Sequence, residues 1–360
     1  MRSVFTFFIS FFILSSAVSI AESTIEAGNP KILYTGRILS DKGAVSFDWS
    51  GVTAVVEFEG TGLSMNYADS KCNWINVWVD RVPDEKSDSI IKLGGETVTI
   101  ADNLPEGRHR ITIQKRTEGE QGRLTVKSFT TDGRFIRAQK KTDRLIEFIG
   151  DSYTCGYGTE SKSGKERFSP ATENCNLTYA AILGRTFGSE VRYISHSGRG
   201  VVRNYGGYDK DRPMCDKYPQ LFDCDTTLIW TPRKCETKPQ IVVIYLGTND
   251  FSCGEHPEPE QWCKGYAAII SRVREMYGNV PVLCVASKAD PLLYDFVKDA
   301  VGRCGFDNVH YAGISPSAHD DNHDLGADSH PNYKGHRKVA LCIMPYVATL
   351  TGWELPEAIH

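Results

Sequence analysis

Between about residues 31 and 136, apolar and polar positions alternate in short runs broken by turn residues. Trp74-Ile75-Asn76-Val77-Trp78-Val79-Asp80 is one such run; residues 52–59, 111–115 and 124–129 behave likewise, with Gly60, Gly62, Gly94, Gly95, Gly107 and Gly133 between them. A period of two sends successive side chains to opposite faces of a strand, so this half predicts short antiparallel strands packed as an all-β jelly-roll sandwich. No long helical period interrupts it.

After Lys141 the pattern changes. Mainly apolar buried-strand candidates at 145–149, 191–195, 241–246, 280–286 and, more weakly, 308–311 alternate with stretches at 177–187, 259–277, 291–303 and 333–350 whose apolar residues recur at helical spacing. A strand that is apolar on both faces must be covered on both, which predicts a three-layer α/β domain with a parallel sheet. Sites in such sheets form at the carboxyl ends of the strands. The chain thus divides into a leader (1–21), a β-sandwich domain (22–140) and an α/β domain (141–360).

The leader reads Met1-Arg2-Ser3, an apolar run at 4–14, then Ser15, Ser16, Ala17, Ser19 and Ala21. This is the grammar of a secretory signal peptide, with Ala21 the preferred last residue and Ala17 the alternative. Its apolar run falls short of the ~20 residues a membrane span needs, and no later run reaches that length. An exported protein, periplasmic or secreted, with no membrane span is expected. A formal charge of −4 with scattered Lys and Arg gives no basic surface for nucleic acid. Eleven cysteines, an odd number, leave at least one thiol unpaired; Cys215, Cys224, Cys235, Cys253 and Cys263 crowd one stretch. No Cys-x-x-Cys pair supports structural zinc, and local disulfides and buried free thiols both remain open.

Three segments carry chemistry: Gly150-Asp151-Ser152, Gly247-Thr248-Asn249-Asp250 and Asp328-Ser329-His330-Pro331. A serine hydroxyl is a poor nucleophile until a base takes its proton, and a neutral imidazole does so near neutral pH. Ser152 is the candidate nucleophile and His330 the candidate base; Asp328, two residues earlier, is placed to receive the other ring N–H or to serve as a turn carboxylate. The backbone N–H of Ser152, that of Gly198 in Ser197-Gly198-Arg199-Gly200, and the Asn249 side-chain amide form a candidate oxyanion hole. Alone, the first two segments read first as turn sequence and the third is open to either reading; together, in this order and after strand candidates, they point to a serine esterase. No Gly-x-Ser-x-Gly elbow is present, which argues against an ordinary α/β-hydrolase.

On these residues the second half, from about residue 145 to the end, resembles the SGNH (GDSL-type) hydrolase superfamily. Within it, residues 197–204, Gly326-Ala327-Asp328-Ser329-His330-Pro331-Asn332 and Gly335-His336 are similar to carbohydrate esterase family 2, whose members carry an amino-terminal jelly roll. The resemblance implies removal of acetyl groups from polysaccharides or oligosaccharides such as xylan and glucomannan, with a 6-position preference on hexoses and no metal or organic cofactor. It assigns Ser152 as nucleophile, His330 as base, and Ser152, Gly198 and Asn249 as oxyanion donors. Many SGNH hydrolases put the aspartate three residues before the histidine; the spacing here is two, as in family 2, where some members use a Ser-His dyad oriented by a backbone carbonyl. The intervening residue, often aromatic in the family, is Ser329, so sugar preference would differ. The alternatives are an SGNH esterase for another ester, such as peptidoglycan O-acetyl or a short-chain acyl group, and a carbohydrate-binding protein without catalysis.

Other groups invite weaker readings. His319-Asp320-Asp321-Asn322-His323-Asp324 has metal-ligating residue types but reads first as a solvated loop. His196 reads as a packed histidine. Trp230, Trp262, Tyr205 and Tyr208 are candidates for a sugar platform, with core packing equally open for the tryptophans; Trp74 and Trp78 share a strand face that would meet either the other domain or a carbohydrate. Asn176-Leu177-Thr178 is a glycosylation sequon.

Overall fold

The computed structural model describes residues 22–207, 212–233, 236–316 and 322–355. The leader, Tyr208, Cys235, His319, Asp320 and Asp321 lie outside the described residues.

Twelve strands come first: β1 (Ser23–Glu26), β2 (Leu33–Thr35), β3 (Leu39–Asp41), β4 (Ala44–Phe47), β5 (Thr53–Gly60), β6 (Leu63–Asp69), β7 (Trp74–Val79), β8 (Ser89–Lys92), β9 (Thr97–Ala101), β10 (Gly107–Lys115), β11 (Leu124–Thr131) and β12 (Arg134–Ile136). They form two six-stranded sheets, one ordered β3-β4-β11-β6-β9 with β1 on β11, the other β12-β5-β10-β7-β8 with β2 on β5. Every pairing is antiparallel. The alternation that predicted these strands is visible in their burial: Leu63, Met65 and Tyr67 are buried while Ser64 and Asn66 are not. In β7, Ile75 and Val77 enter the sandwich core, and the opposite face, carrying Trp78 and Asn76, turns to the second domain, where Asn76 donates to Asn174 Oδ1 at 3.0 Å.

The second domain holds five parallel strands, β13 (Leu145–Gly150), β14 (Glu190–Ser195), β15 (Ile241–Tyr245), β16 (Val282–Ser287) and β17 (Val309–Ile314), ordered β14-β13-β15-β16-β17. Helices cover both faces. α1 (Ser152–Cys155) and α3 (Met214–Lys217) are single turns, whereas α2 (Tyr179–Thr186) and α6 (Tyr333–Thr351) pack on Ile241, Val243 and Tyr245, and α4 (Pro259–Tyr277) and α5 (Pro291–Arg303) pack on Val242, Ile244 and Leu246. Adjacent residues of β15 serve opposite layers, which is why that run is continuously apolar. Burying each such side chain is worth about 1.5–3 kcal/mol. Glu147, inside β13, is the exception; Tyr218 Oη (2.6 Å), Tyr277 Oη (2.7 Å) and Arg192 (3.2 Å) satisfy its carboxylate.

The α4–α5 layer and the sandwich core form one apolar cluster, bridged through Trp49, Tyr218, Leu221 and Phe222. Polar contacts fix the junction: Trp49 Nε1 donates to Leu221 O (3.0 Å), Arg116 Nε to Glu173 O (2.7 Å), and Asp48 accepts from the backbone of Asp223 (2.7 Å) and Cys224 (3.1 Å). All ten described cysteines are free thiols. No helix among the described residues is long and apolar enough to cross a membrane.

Candidate active site

Chain order runs β13 to β14 on one side and returns to β15 on the other, so the sheet changes direction at β13. Ligand crevices in open α/β sheets form outside the carboxyl ends at such a point. The Ser152, Gly198 and Asn249 segments leave the ends of β13, β14 and β15, three neighbouring strands.

Ser152 opens α1, whose preceding residue Asp151 accepts the Tyr153 N–H. Gly150 allows this turn: a Cβ there would lie 2.0 Å from Thr154 Oγ1 and 3.0 Å from Tyr245 O. His330 reaches over from the turn before α6, placing Nε2 2.8 Å from Ser152 Oγ. Its Nδ1 lies 3.2 Å from Ala327 O, so Nδ1–H donates to that carbonyl and Nε2 keeps the lone pair that faces the serine. Burial holds the imidazole below the usual histidine pKa, while backbone carbonyls pull it partly back. The neutral, accepting form is therefore favoured.

Asp328 departs from the triad reading. Its carboxylate accepts from Tyr157 Oη (2.8 Å), Arg167 Nη1 (2.8 Å) and the Phe168 N–H (3.1 Å), and the imidazole is oriented by a backbone carbonyl instead. The reason is backbone geometry: Asp328 and Ser329 have φ of +48° and +62°, so the turn carries the carboxylate toward the 157–168 segment. The Tyr157 hydroxyl and the Arg167 guanidinium hold its pKa below the usual carboxylate range. The Tyr157 ring stacks on the imidazole at 4.2 Å between centroids and on Phe168 at 4.3 Å. Sequence reasoning passed over Tyr157, Arg167 and Phe168, because nothing in their spacing links them to a turn 160 or more residues away.

The oxyanion candidates converge from two loops. Gly198 has φ +76°, a left-handed conformation that suits glycine. Asn249 is buried, its amide donating to Arg199 O at 2.9 Å and Asp151 Oδ2 at 3.2 Å. Two acceptors fix the orientation of that amide. Burial raises the Asp151 pKa to about 7. Asp250, the next residue after Asn249, ties the loops together by accepting the N–H groups of Val201 (2.7 Å), Val202 (2.9 Å) and Arg203 (3.0 Å). His196 is a packed histidine, with Nδ1 2.6 Å from Asp223 Oδ2.

The aromatic candidates separate. Trp262 is fully buried against Tyr266 and Phe296, and Trp230 is buried between the guanidinium groups of Arg37 and Arg192 at 4.6 and 4.9 Å. Neither offers a face to a sugar, because both fill the α4-side core. Tyr205 is 64% exposed, and its backbone N–H donates to Gly198 O at 2.8 Å, beside the oxyanion loop. The sequon Asn176 is buried, donating to Asp84 O (2.7 Å) and accepting from Arg185 (3.0 Å), so its amide is inaccessible in the folded chain. In the histidine- and aspartate-rich loop, Asp324 is a buried partner of Lys338.

Residues 34–138 match the carbohydrate esterase 2 N-terminal family, and residues 148–338 match the GDSL-like lipase/acylhydrolase family. An acetylxylan esterase / glucomannan deacetylase of Cellvibrio japonicus is 31% identical over 261 residues, covering 69% of this chain and 68% of that protein. The chain belongs to carbohydrate esterase family 2. It is also 32% identical over 343 residues, 92% of its length, to the cellulase/esterase CelE of Acetivibrio thermocellus, of which it spans 41%. Among solved structures, a family two carbohydrate esterase from Clostridium thermocellum in complex with cellohexaose superposes with a TM-score of 0.80 at 30% identity, covering 90% of this chain and all of that one. A family two esterase from Cellvibrio japonicus, at 23% identity and a TM-score of 0.81, shares the fold.

Proposed function

We propose that this family 2 esterase is an exported carbohydrate O-acetylesterase that works through a serine acetyl-enzyme, on acetylated polysaccharides such as xylan or glucomannan or on their fragments. The 2.8 Å contact between Ser152 Oγ and His330 Nε2, with Nδ1 on a carbonyl, is the observation that carries the reading. The substrate class rests on the likeness to the acetylxylan esterase / glucomannan deacetylase of Cellvibrio japonicus, and export rests on the leader sequence.

His330 Nε2 takes the Ser152 proton as Oγ attacks the acetyl carbonyl. The N–H groups of Ser152 and Gly198 and the Asn249 amide hold the oxyanion, and collapse expels the sugar alkoxide, which takes the proton back from His330. Water, deprotonated by His330, then attacks acetyl-Ser152; a second collapse frees acetate and restores the serine. The exposed Tyr205 ring beside the oxyanion loop supplies an apolar face for a pyranose. Trp230 and Trp262 have no part in this reading.

The test is acetate release from acetylated xylan and acetylated glucomannan by wild type and Ser152→Ala, with products mapped by NMR. Release that depends on Ser152 is expected, and the NMR identifies the hydroxyl freed. Equal release by the Ser152→Ala protein would overturn the mechanism, whereas Ser152-dependent cleavage of an aryl acetate alone would move the substrate elsewhere.

A further inference from the structure

The segment carrying Gly198 is held from the other domain. Glu118 follows β10 in the sandwich, yet its Oε2 accepts the Ser197 N–H at 2.7 Å and lies 3.4 Å from Cys155 Sγ, in the turn that begins with Ser152. One residue earlier, His196 is tied to Asp223, and Asp223 in turn is bound through its N–H to Asp48 of the sandwich. Both residues immediately before Gly198 are therefore anchored, directly or through one intermediate, on the β-sandwich.

Glu118 has its own support. Its N–H donates to Glu173 Oε1 at 3.2 Å, and Lys115 Nζ donates to its carbonyl at 2.9 Å. Glu118 Oε1 and Glu173 Oε2 are both buried without a donor from elsewhere. Burial first, and then the charge of Glu118, push the Glu173 pKa well above its ordinary value. A protonated Glu173 carries a hydrogen-bond donor into this cluster. Glu118, Cys155 and Glu173 also bring ligand-type atoms within 4.8 Å of one another. Burial pushes the Cys155 thiol well above its usual range, so this cluster offers no thiolate to a cation.

We infer that Glu118 is a positioning residue for the oxyanion hole, by which the β-sandwich fixes Ser197 and so aims the Gly198 N–H. The inference rests on the esterase reading. Without the Glu118 acceptor, the partly buried Ser197 N–H loses its partner, and the loop relaxes by turning that peptide. Gly198 then loses its aim, while Ser152, His330 and the sugar-facing surface stay in place. The interaction is made with the transition state, so its loss falls on kcat rather than KM.

The test compares Glu118→Met, which keeps length but has no strong acceptor, with Glu118→Gln, whose amide oxygen still accepts the Ser197 N–H, and Glu173→Gln, a neutral stand-in for the protonated acid. Hydrolysis of an aryl acetate, inhibition by an alkylboronic acid that forms a tetrahedral adduct on Ser152, and hydrogen exchange across residues 196–200 are measured on each. Glu118→Met is expected to lower kcat at least ~10-fold, short of the ~10²- to 10³-fold for deleting an oxyanion donor, with KM within about twofold. It should weaken the boronic acid by the same factor, and exchange at 196–200 should rise. The two glutamine variants should stay within about threefold of wild type. A folded Glu118→Met with wild-type kcat, or one whose boronic acid affinity is unchanged, overturns the inference. If Glu118→Met does not fold, exchange in the wild type decides: a Ser197 amide as protected as the central strands supports the anchor, and a fast one overturns it. A wild type with no Ser152-dependent turnover would instead defeat the esterase reading, leaving the same exchange measurement to judge the anchor.

Discussion

Asp328 and Ser329 occupy left-handed backbone conformations that cost a non-glycine residue of order 1–3 kcal/mol each. The bonds from Tyr157, Arg167 and Phe168 to the Asp328 carboxylate hold that turn, and the turn presents Ala327 O to the imidazole. Aspartate in a triad and aspartate as a turn anchor predict different things. Replacing a triad aspartate by asparagine costs ~10⁴-fold in kcat. Asp328→Asn, which keeps a side-chain acceptor and tolerates the left-handed turn, is expected to lose less than ~10-fold on an aryl acetate, provided the anchor role is right. A loss near the triad value would restore Asp328 to the imidazole.

His330 sets the pH response at the same scale. Catalysis needs its neutral form, and burial lowers its pKa below the ordinary value of about 6.5. The acid limb of kcat/KM should therefore lie below ~6.5, with activity lost only as pH falls through the depressed value. Stability moves in the same direction, because the unfolded chain takes up that proton more readily and protonation favours unfolding. A limb above the ordinary histidine value would show that the imidazole is more exposed, or more strongly paired, than this geometry allows.

At the scale of elements, three strand ends and two loops make the site, and Asp250 couples the loops. Its carboxylate takes three backbone donors from residues 201–203, and each buried donor left without a partner costs ~1–3 kcal/mol. Asp250→Ala should accordingly lower the thermal midpoint and kcat together, read by thermal unfolding and aryl acetate turnover; an unchanged kcat in the folded variant would mean that the 201–203 loop does not bear on Gly198 and Asn249. The elements themselves were largely legible. α4 and α5 occupy 259–277 and 291–303, the limits read from periodicity, because each has proline in its first turn, and Gly278 ends α4 with φ +75°. The last strand was read short, 308–311 against Val309–Ile314, since the Ala312-Gly313 pair carries little apolar signal. Glu147 went unremarked within an apolar run because its partners Tyr218, Tyr277 and Arg192 are remote in sequence.

At the scale of the whole molecule, the two domains share an apolar cluster, and side chains of one hold the loops of the other. This is the part that local pattern could not reveal. Ser152, Gly198, Asn249 and His330 stand in recognisable short segments, so spacing alone nominated them. Glu118, Asp48 and Tyr157 act through contacts made only once the chain is folded, and the tryptophans offered as sugar platforms turned out to be core, since an indole looks the same in sequence whether it faces a ligand or an interior. Catalysis converges on one hydroxyl, that of Ser152. The most direct measurement is to expose the full-length protein to a serine-directed phosphonate, follow residual aryl acetate hydrolysis, and locate the adduct by peptide mass mapping. One adduct per chain is expected, on the peptide bearing Ser152, growing in step with the loss of activity and absent from Ser152→Ala. An adduct on another residue, or full activity with Ser152 modified, would contradict it.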